Sequence, residues 1–197
     1  MRLFAILLAL VCLPVFAGQP AAAKQYRGIL TREAHLVNGL NAPIPMYAGQ
    51  IEQESGWKSG ITAWDSGRGL AQFMDGTADT IVALYPELKA PAPYNPTWAI
   101  RALVRYDTWL GKHVQGIDDC QHRAAALKSY NAGLGYVQQA QKKSDKPDVW
   151  FGATEDVPTR QSPKNFAASR MYPRWILFDR QPKYSGWGNM TCKDIKP

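Results

Sequence analysis

The chain has 197 residues, of which 46% are hydrophobic and 20% are charged, and its formal net charge is +7. This composition suits one globular domain and excludes a disordered chain, because aliphatic and aromatic residues are plentiful and charge is moderate. It also excludes collagen and a long coiled coil, because neither a glycine triplet nor a heptad repeat runs through the sequence. The seven Trp and nine Tyr residues serve either the core or a sugar-stacking surface, and composition alone does not apportion them.

The N-terminus has the layout of a secretory signal peptide. Arg2 supplies a positive charge, an apolar run follows over 3–13, and Val15-Phe16-Ala17 resembles a cleavage site. We expect residues 1–23 to form the signal and a short leader, cut after Ala17 or after Ala23. The alternative is a membrane anchor, but the apolar run is shorter than the roughly 20 residues that span a bilayer. We therefore expect export to the periplasm or cell envelope, with no stable membrane anchor after cleavage.

Signal cleavage changes the cysteine and charge counts. Cys12 leaves with the signal, and the remaining Cys120 and Cys192 form an even pair, which predicts a disulfide in an exported protein. The alternative is two free thiols. Without Arg2 the net charge is about +6, and this favours an anionic cell wall as partner. Nucleic acid is not an expected partner, because Lys142-Lys143 is the only local basic cluster.

The rest of the chain is predicted to be all-α or nearly so, because apolar residues recur with helical spacing and no alternating strand pattern is present. The predicted helices cover residues 26–40, 44–57, 77–85, 96–113, 121–140 and 165–178. We expect a break near Gly133 and a bend or an end at Pro173, with loops over 58–69 and 144–165 and an irregular tail. The predicted main domain covers 24–166, and residues 167–197 form a C-terminal extension packed on it or tethered to it.

One carboxylate falls on the apolar face of the second predicted helix. Tyr47, Ile51 and Glu54 recur at i, i+4 and i+7, whereas Glu52 lies about 200° round the helix from Glu54 and faces outward. Partial burial and the negative end of the helix dipole both raise the pKa of Glu54. A carboxylic acid that keeps its proton suits donation to a leaving glycosidic oxygen. The alternative is a salt-bridged core glutamate.

Two later segments carry polar side chains suited to a saccharide. The glycine-rich loop over 67–74 contains Gln72, whose amide offers both donors and an acceptor. Tyr130 and Asn131 lie on or beside an apolar helical stripe, where a polar side chain needs partners. The alternatives are a tight turn with a surface amide and a structural pair at a helix break.

Taken in order, these segments resemble motifs of the soluble lytic transglycosylase (SLT) domain family, a goose-type-lysozyme-like group of the lysozyme superfamily. The motifs are E-S-G at 54–56, G-L-A-Q at 69–72 and S-Y-N-A-G at 129–133, and the resemblance extends over about residues 47–166. It implies a helical domain with a glycan-binding cleft and Glu54 as the catalytic acid/base. It implies substrate-binding roles for Gln72, Tyr130, Asn131, Ser55 and Phe166.

The resemblance also implies a reaction. Family members cleave the β-1,4 bond between N-acetylmuramic acid and N-acetylglucosamine and form a 1,6-anhydro product, without a metal or another cofactor. The expected partners are peptidoglycan glycan strands. A conjugation or secretion apparatus, a phage lysis system and housekeeping wall remodelling are alternative settings. The three His residues show no metal-ligand spacing with each other or with Cys, so no metal site is expected.

The sequence departs from the family pattern at three places. Ala71 stands where Met is frequent. The later pattern of Glu followed four residues on by Tyr falls on Ser162 and Phe166, which keeps the ring but loses the carboxylate and the hydroxyl. Asp65 precedes Gly69 in a loop that is usually rich in Ser, Gly and Ala. As a candidate second carboxylate, Asp65 supports the alternative of a hydrolysing muramidase, in which it activates water. A non-catalytic wall-binding or assembly module is a third hypothesis.

Overall fold

The computed structural model describes residues 18–193 and residue 195. Their seven α-helices are α1 (Ala23–Asn38), α2 (Ile44–Ser55), α3 (Asp75–Leu84), α4 (Pro96–Gly111), α5 (Asp119–Ala132), α6 (Leu134–Lys143) and α7 (Pro163–Arg174). Short 3-10 turns occupy Pro86–Leu88 and Thr154–Asp156. The described residues form two isolated β-bridges but no strand, which confirms the all-α prediction. The predicted signal peptide over 1–17, with Cys12, lies outside the described residues.

The helices begin and end near the expected positions, and side-chain caps set the starts of α4, α5 and α7. At α4, Oδ1 of Asn95 accepts hydrogen bonds from the backbone N–H groups of Thr97 and Trp98 at 3.0 and 3.1 Å, and Pro96 occupies the first helical position. The predicted helix over 121–140 is two helices, α5 and α6. Gly133 separates them with a φ of 100°, which a residue with a side chain rarely adopts.

The tail after α7 is helical, and the expectation of an irregular tail is wrong in this respect. A π-helical turn over Trp175–Arg180 continues α7 beyond Pro173, and a 3-10 segment over Gln181–Trp187 follows. This tail packs against α2. Helix α7 also runs continuously through the predicted boundary at residue 166.

The tail covers the face of α2 that carries Glu52. The Tyr184 hydroxyl donates a hydrogen bond to Oε2 of Glu52, and Nζ of Lys183 lies 2.6 Å from Oε1. Nε1 of Trp57 in turn donates to the Tyr184 hydroxyl at 2.7 Å. The expectation that Glu52 faces solvent is therefore wrong, because residues more than 120 positions away cover it.

A disulfide ties the end of this tail to the start of α5. Cys120 and Cys192 are bonded, with their Cα atoms 4.7 Å apart, as the cysteine count predicted. Beside the bridge, Oγ1 of Thr191 donates to Oδ2 of Asp119 at 2.6 Å. In residues 18–193, no helix is both long enough and apolar enough to cross a membrane.

Candidate active site

A cleft of about 440 Å³ opens at the C-terminal end of α2. Its walls come from helices α2, α3, α4, α5 and α7, from the loop before α3, and from Trp175. The polar side chains in its lining include Glu54, Asp65, Gln72, Tyr130 and Tyr172. Five helices and one loop thus converge on the cleft that holds the carboxylate singled out from the sequence.

Glu54 lies in the last turn of α2 and is partly buried in this cleft. The Tyr172 hydroxyl donates a hydrogen bond to its Oε1, which leaves Oε2 to carry a proton. Burial raises the pKa of Glu54 to about 7; the Tyr172 hydrogen bond lowers it and the negative charge of Asp65 raises it slightly further. Near neutral pH, Glu54 can therefore exchange readily between its acid and its base form.

Tyr172 is the main site residue that the sequence did not single out. The Glu-to-Tyr pattern was placed on Ser162 and Phe166, and this placement predicted that the hydroxyl is lost. In the structure the Phe166 ring faces the ammonium of Lys128 at 5.4 Å and does not line the cleft. Tyr172, six residues later, supplies a hydroxyl to Glu54. The i−4 neighbour of Tyr172 is Ala168, which lines the cleft and offers no carboxylate.

Tyr130 lies across the cleft at the end of α5. Its hydroxyl donates to the backbone carbonyl of Ala71 at 2.6 Å, and its ring packs against Phe73 and Tyr106 at centroid distances of 5.7 and 5.8 Å. Burial is the main cause that raises the pKa of Tyr130 well above its usual value, so the phenol stays neutral. Because the Tyr130 O–H already donates to the Ala71 carbonyl, the phenol oxygen is left to accept a hydrogen bond from a ligand.

The glycine-rich loop owes its shape to Gly69, whose φ is +70°. A Cβ at this position would lie 1.9 Å from the carbonyl oxygen of Pro93, so only glycine lets the loop approach the segment before α4. Gln72 also has a positive φ, of 51°. Its Nε2 donates to the Gly69 carbonyl at 2.6 Å, and its buried Oε1 has no hydrogen-bond partner among the described residues. Gln72 therefore lines the cleft while its Oε1 stays unused and shielded from solvent.

The remaining predicted site residues divide into two groups. Asp65 and Asn131 line the cleft, and Oδ1 of Asp65 accepts from the backbone N–H of Gly67 at 3.2 Å. Ser55 does not line it: this side chain is buried and donates to the Ile51 carbonyl within α2 at 3.2 Å. Two tryptophans at the rim, Trp64 at 96% and Trp175 at 37% exposure, offer apolar faces to a ligand.

The sequence profile of the transglycosylase SLT domain family matches residues 41–150, more than half of the chain. The chain belongs to this family. Its SLT domain thus carries Glu54, Gln72, Tyr130 and Asn131 within the matched segment, whereas Tyr172 lies beyond it. The family resemblance that the motifs suggested is confirmed, and the family is one of peptidoglycan lytic transglycosylases.

Two solved structures share the fold of this SLT domain. The 70-kDa soluble lytic transglycosylase Slt70 from Escherichia coli is 20% identical, with a TM-score of 0.58 over 82% of this chain and 24% of that chain. The 70-kDa soluble lytic transglycosylase in complex with bulgecin A is also 20% identical, with a TM-score of 0.61 over 84% of this chain and 25% of that chain. This chain therefore spans about a quarter of their length, and the likeness confirms a helical, lysozyme-like fold. A comparison with curated protein sequences gave no match.

Proposed function

We propose that this protein is a lytic transglycosylase that cleaves the β-1,4 bond between N-acetylmuramic acid and N-acetylglucosamine in peptidoglycan. The observation that carries the proposal is Glu54. This partly buried carboxyl group lines the cleft at the C-terminal end of α2, and its pKa is raised to about 7. Membership of the SLT family supports the same activity.

The proposed reaction uses one protein carboxyl group twice. Glu54 donates its proton to the glycosidic oxygen of the departing N-acetylglucosamine, while the acetamide oxygen of the muramic acid residue attacks the anomeric carbon. The Glu54 carboxylate then removes the proton from the C6 hydroxyl, whose oxygen displaces the acetamide and closes the 1,6-anhydro ring. Glu54 recovers its proton and no water is consumed. A retaining glycosidase of the ordinary kind needs a second carboxylate about 5 Å away, and the substrate's own acetamide takes that role here.

The other cleft residues fit binding and positioning roles in this reaction. The free acceptor on Tyr130 suits the N–H of the attacking acetamide. Gln72 lines the same cleft, and its amide suits a sugar hydroxyl or amide once its buried Oε1 turns toward the ligand. Asn131 and the indole of Trp64 lie along the same cleft and suit a neighbouring sugar ring. We do not assign binding roles to Ser55 and Phe166, which do not line the cleft.

Asp65 supports a second candidate, a hydrolysing muramidase. Its carboxylate lines the cleft, and its charge acts on Glu54. An inverting hydrolase places a carboxylate base opposite its acid to activate water. In that reaction the product carries one more water than the anhydro product.

Mass spectrometry of muropeptides released from purified peptidoglycan tests both candidates. We expect anhydro products from the native protein, anhydro products from Asp65→Asn, and no products from Glu54→Gln. Products one water heavier, lost in Asp65→Asn, would establish the muramidase instead. Unchanged wall lysis by Glu54→Gln would show that Glu54 is not the acid, and lysis absent from all three proteins would leave the non-catalytic wall-binding module.

Export and cell-wall location are parts of the same proposal. Gln19 donates to the Lys183 carbonyl at 2.7 Å, and Ala23 is fully buried at the start of α1. Cleavage after Ala17 keeps both contacts, whereas cleavage after Ala23 removes them, so we favour Ala17. N-terminal sequencing of the exported protein tests this choice. The envelope apparatus and the phage lysis system remain candidate settings for this activity.

A further inference from the structure

Beneath the cleft lies a buried carboxyl group that forms no ion pair with the residues the structure describes. Asp107, on α4, is only 3% exposed. Nε2 of Gln50 donates to its Oδ1 at 3.3 Å, and its Oδ2 has no hydrogen-bond partner in the described part of the chain. The nearby cation Arg123 pairs instead with Asp119 at 3.0 Å. An ionised carboxylate in such a place is costly, because it is shielded from water and forms no ion pair with the described residues, although the charge of Arg123 partly offsets this cost.

Gln50, the partner of Asp107, also has a buried acceptor without a hydrogen bond. Gln50 lies on α2, one helical turn before Glu54, and is fully buried. Its Oε1 is a second buried acceptor with no partner among the described residues. A single proton on Oδ2 of Asp107 would satisfy both atoms, because a carboxylic acid and a primary amide pair through two hydrogen bonds, one in each direction.

We propose that Asp107 is held as a neutral carboxylic acid that donates to Oε1 of Gln50 while accepting from its Nε2, and that this paired contact positions the last turn of α2, with Glu54, against α4. Its role in catalysis rests on the function proposed above, whereas the protonation of Asp107 does not. Burial acts in the same direction, since it raises the pKa of Asp107 to about 8.

The groups around Asp107 explain why its neutrality matters to Glu54. Six ionisable groups interact electrostatically with the Asp107 carboxyl group: Tyr47 and Glu54 on α2, Tyr106 on α4, Arg123 and Tyr130 on α5, and Tyr172 on α7. Two of these can carry a charge near neutral pH, Glu54 and Arg123. A negative Asp107 would oppose the carboxylate form of Glu54, which the ring-closing step requires. A neutral Asp107 can hold α2 in place without repelling the Glu54 carboxylate.

Carbon-13 NMR on the native protein tests the protonation directly. With label confined to the aspartate carboxyl carbons, we expect one resonance to keep the chemical shift of a protonated acid at pH 6, where exposed aspartates are ionised. Its absence in Asp107→Asn would assign it. If every aspartate carboxyl titrates below pH 5, the proposal is overturned, whether or not the protein cleaves peptidoglycan.

Two substitutions test the positioning role. Asn at 107 can form both hydrogen bonds with Gln50 and cannot ionise, whereas Leu can form neither. We expect Asp107→Leu to lower kcat by about tenfold or more, with a smaller change in KM, and Asp107→Asn to recover kcat to within about threefold of native. The alkaline fall in activity governed by Glu54 should occur at the same pH in Asp107→Asn as in the native protein.

Two outcomes would contradict this role. A fall that moves to lower pH in Asp107→Asn would mean that a negative charge had been removed and that native Asp107 is ionised. Equal kcat in the Leu and Asn variants would show that the paired contact does not position Glu54. Asp145→Asn, which neutralises an exposed aspartate on the loop after α6, is the matched control and should change neither readout. If Asp107→Leu does not fold, the NMR titration of the native protein still decides the protonation state.

Discussion

The hydroxyl of Tyr172 donates a hydrogen bond to Oε1 of Glu54, although 118 positions separate the two residues. Helix α7 therefore belongs to the site, even though the family profile ends at residue 150. The bond favours the carboxylate form of Glu54, yet burial outweighs it and the pKa stays near 7. Burial and a single phenol thus act in opposite directions on the proton affinity of the acid.

Replacing Tyr172 with Phe should shift the pH dependence of activity. Without the hydroxyl, the pKa of Glu54 rises above about 7, because the contribution that lowers it is lost. The alkaline fall in kcat/KM should then move to higher pH, and kcat/KM at its optimum should fall by about tenfold as Glu54 loses a positioning contact. Wall lysis measured from pH 5 to 9 checks this.

Tyr26→Phe is the matched control for that experiment, because the Tyr26 ring stacks on Trp57 away from the cleft. It should keep the native pH profile. A Tyr172→Phe profile that shifts to lower pH, or does not shift, would contradict the assigned hydrogen bond.

Gly69→Ala should destabilise the protein and weaken substrate binding. The new Cβ would meet the Pro93 carbonyl oxygen at 1.9 Å, and φ is +70° there. We expect a loss of about 2–4 kcal/mol in the free energy of unfolding, with a raised KM because Gln72 moves with the loop. Denaturant titration and substrate kinetics measure the two effects.

Gly76→Ala provides the comparison of opposite sign. Gly76 lies within α3, and a Cβ added there would meet open space, so alanine should raise stability by about 0.5–1 kcal/mol. If Gly69→Ala were as stable as Gly76→Ala, the loop could not approach Pro93 as closely as the structure shows.

Reduction of the disulfide should loosen the tail and lower stability. The bridge joins positions 72 residues apart. In the chain-entropy model, a disulfide that closes a loop of this length stabilises the folded state by about 4 kcal/mol. Chemical denaturation with and without a reductant should show this loss in the native protein. The Cys120→Ala, Cys192→Ala double variant should be equally destabilised and insensitive to reductant; any further response to reductant would mean that another thiol is involved.

Local patterns predicted the helices and Glu54 because these depend on neighbours in sequence. Apolar spacing located α2 and the face that carries Glu54, and Pro96 marked the start of α4. The contacts of Tyr172 with Glu54 and of Tyr184 with Glu52 join distant segments, so helical periodicity carried no sign of them. Asp107 did have a local sign that the sequence prediction missed: it lies four residues after Leu103 and three before Leu110, on a buried helical stripe.

Glu54→Gln should be inactive and, at neutral pH, more stable than the native protein. The folded-state pKa of Glu54, about 7, exceeds its ordinary value of 4.5, so the folded protein binds more protons than the unfolded chain between these pH values. Native stability should therefore decline as pH rises from about 4.5 to 7, by at most about 3 kcal/mol from this group. Glutamine is neutral at every pH, so the stability of Glu54→Gln does not decline from this cause. Denaturant titrations of both proteins at pH 4, 5.5 and 7 should show a stability difference near zero at pH 4 that grows in favour of Glu54→Gln by pH 7. A constant difference across this range would mean that Glu54 ionises normally, and the acid/base role would lose its physical basis.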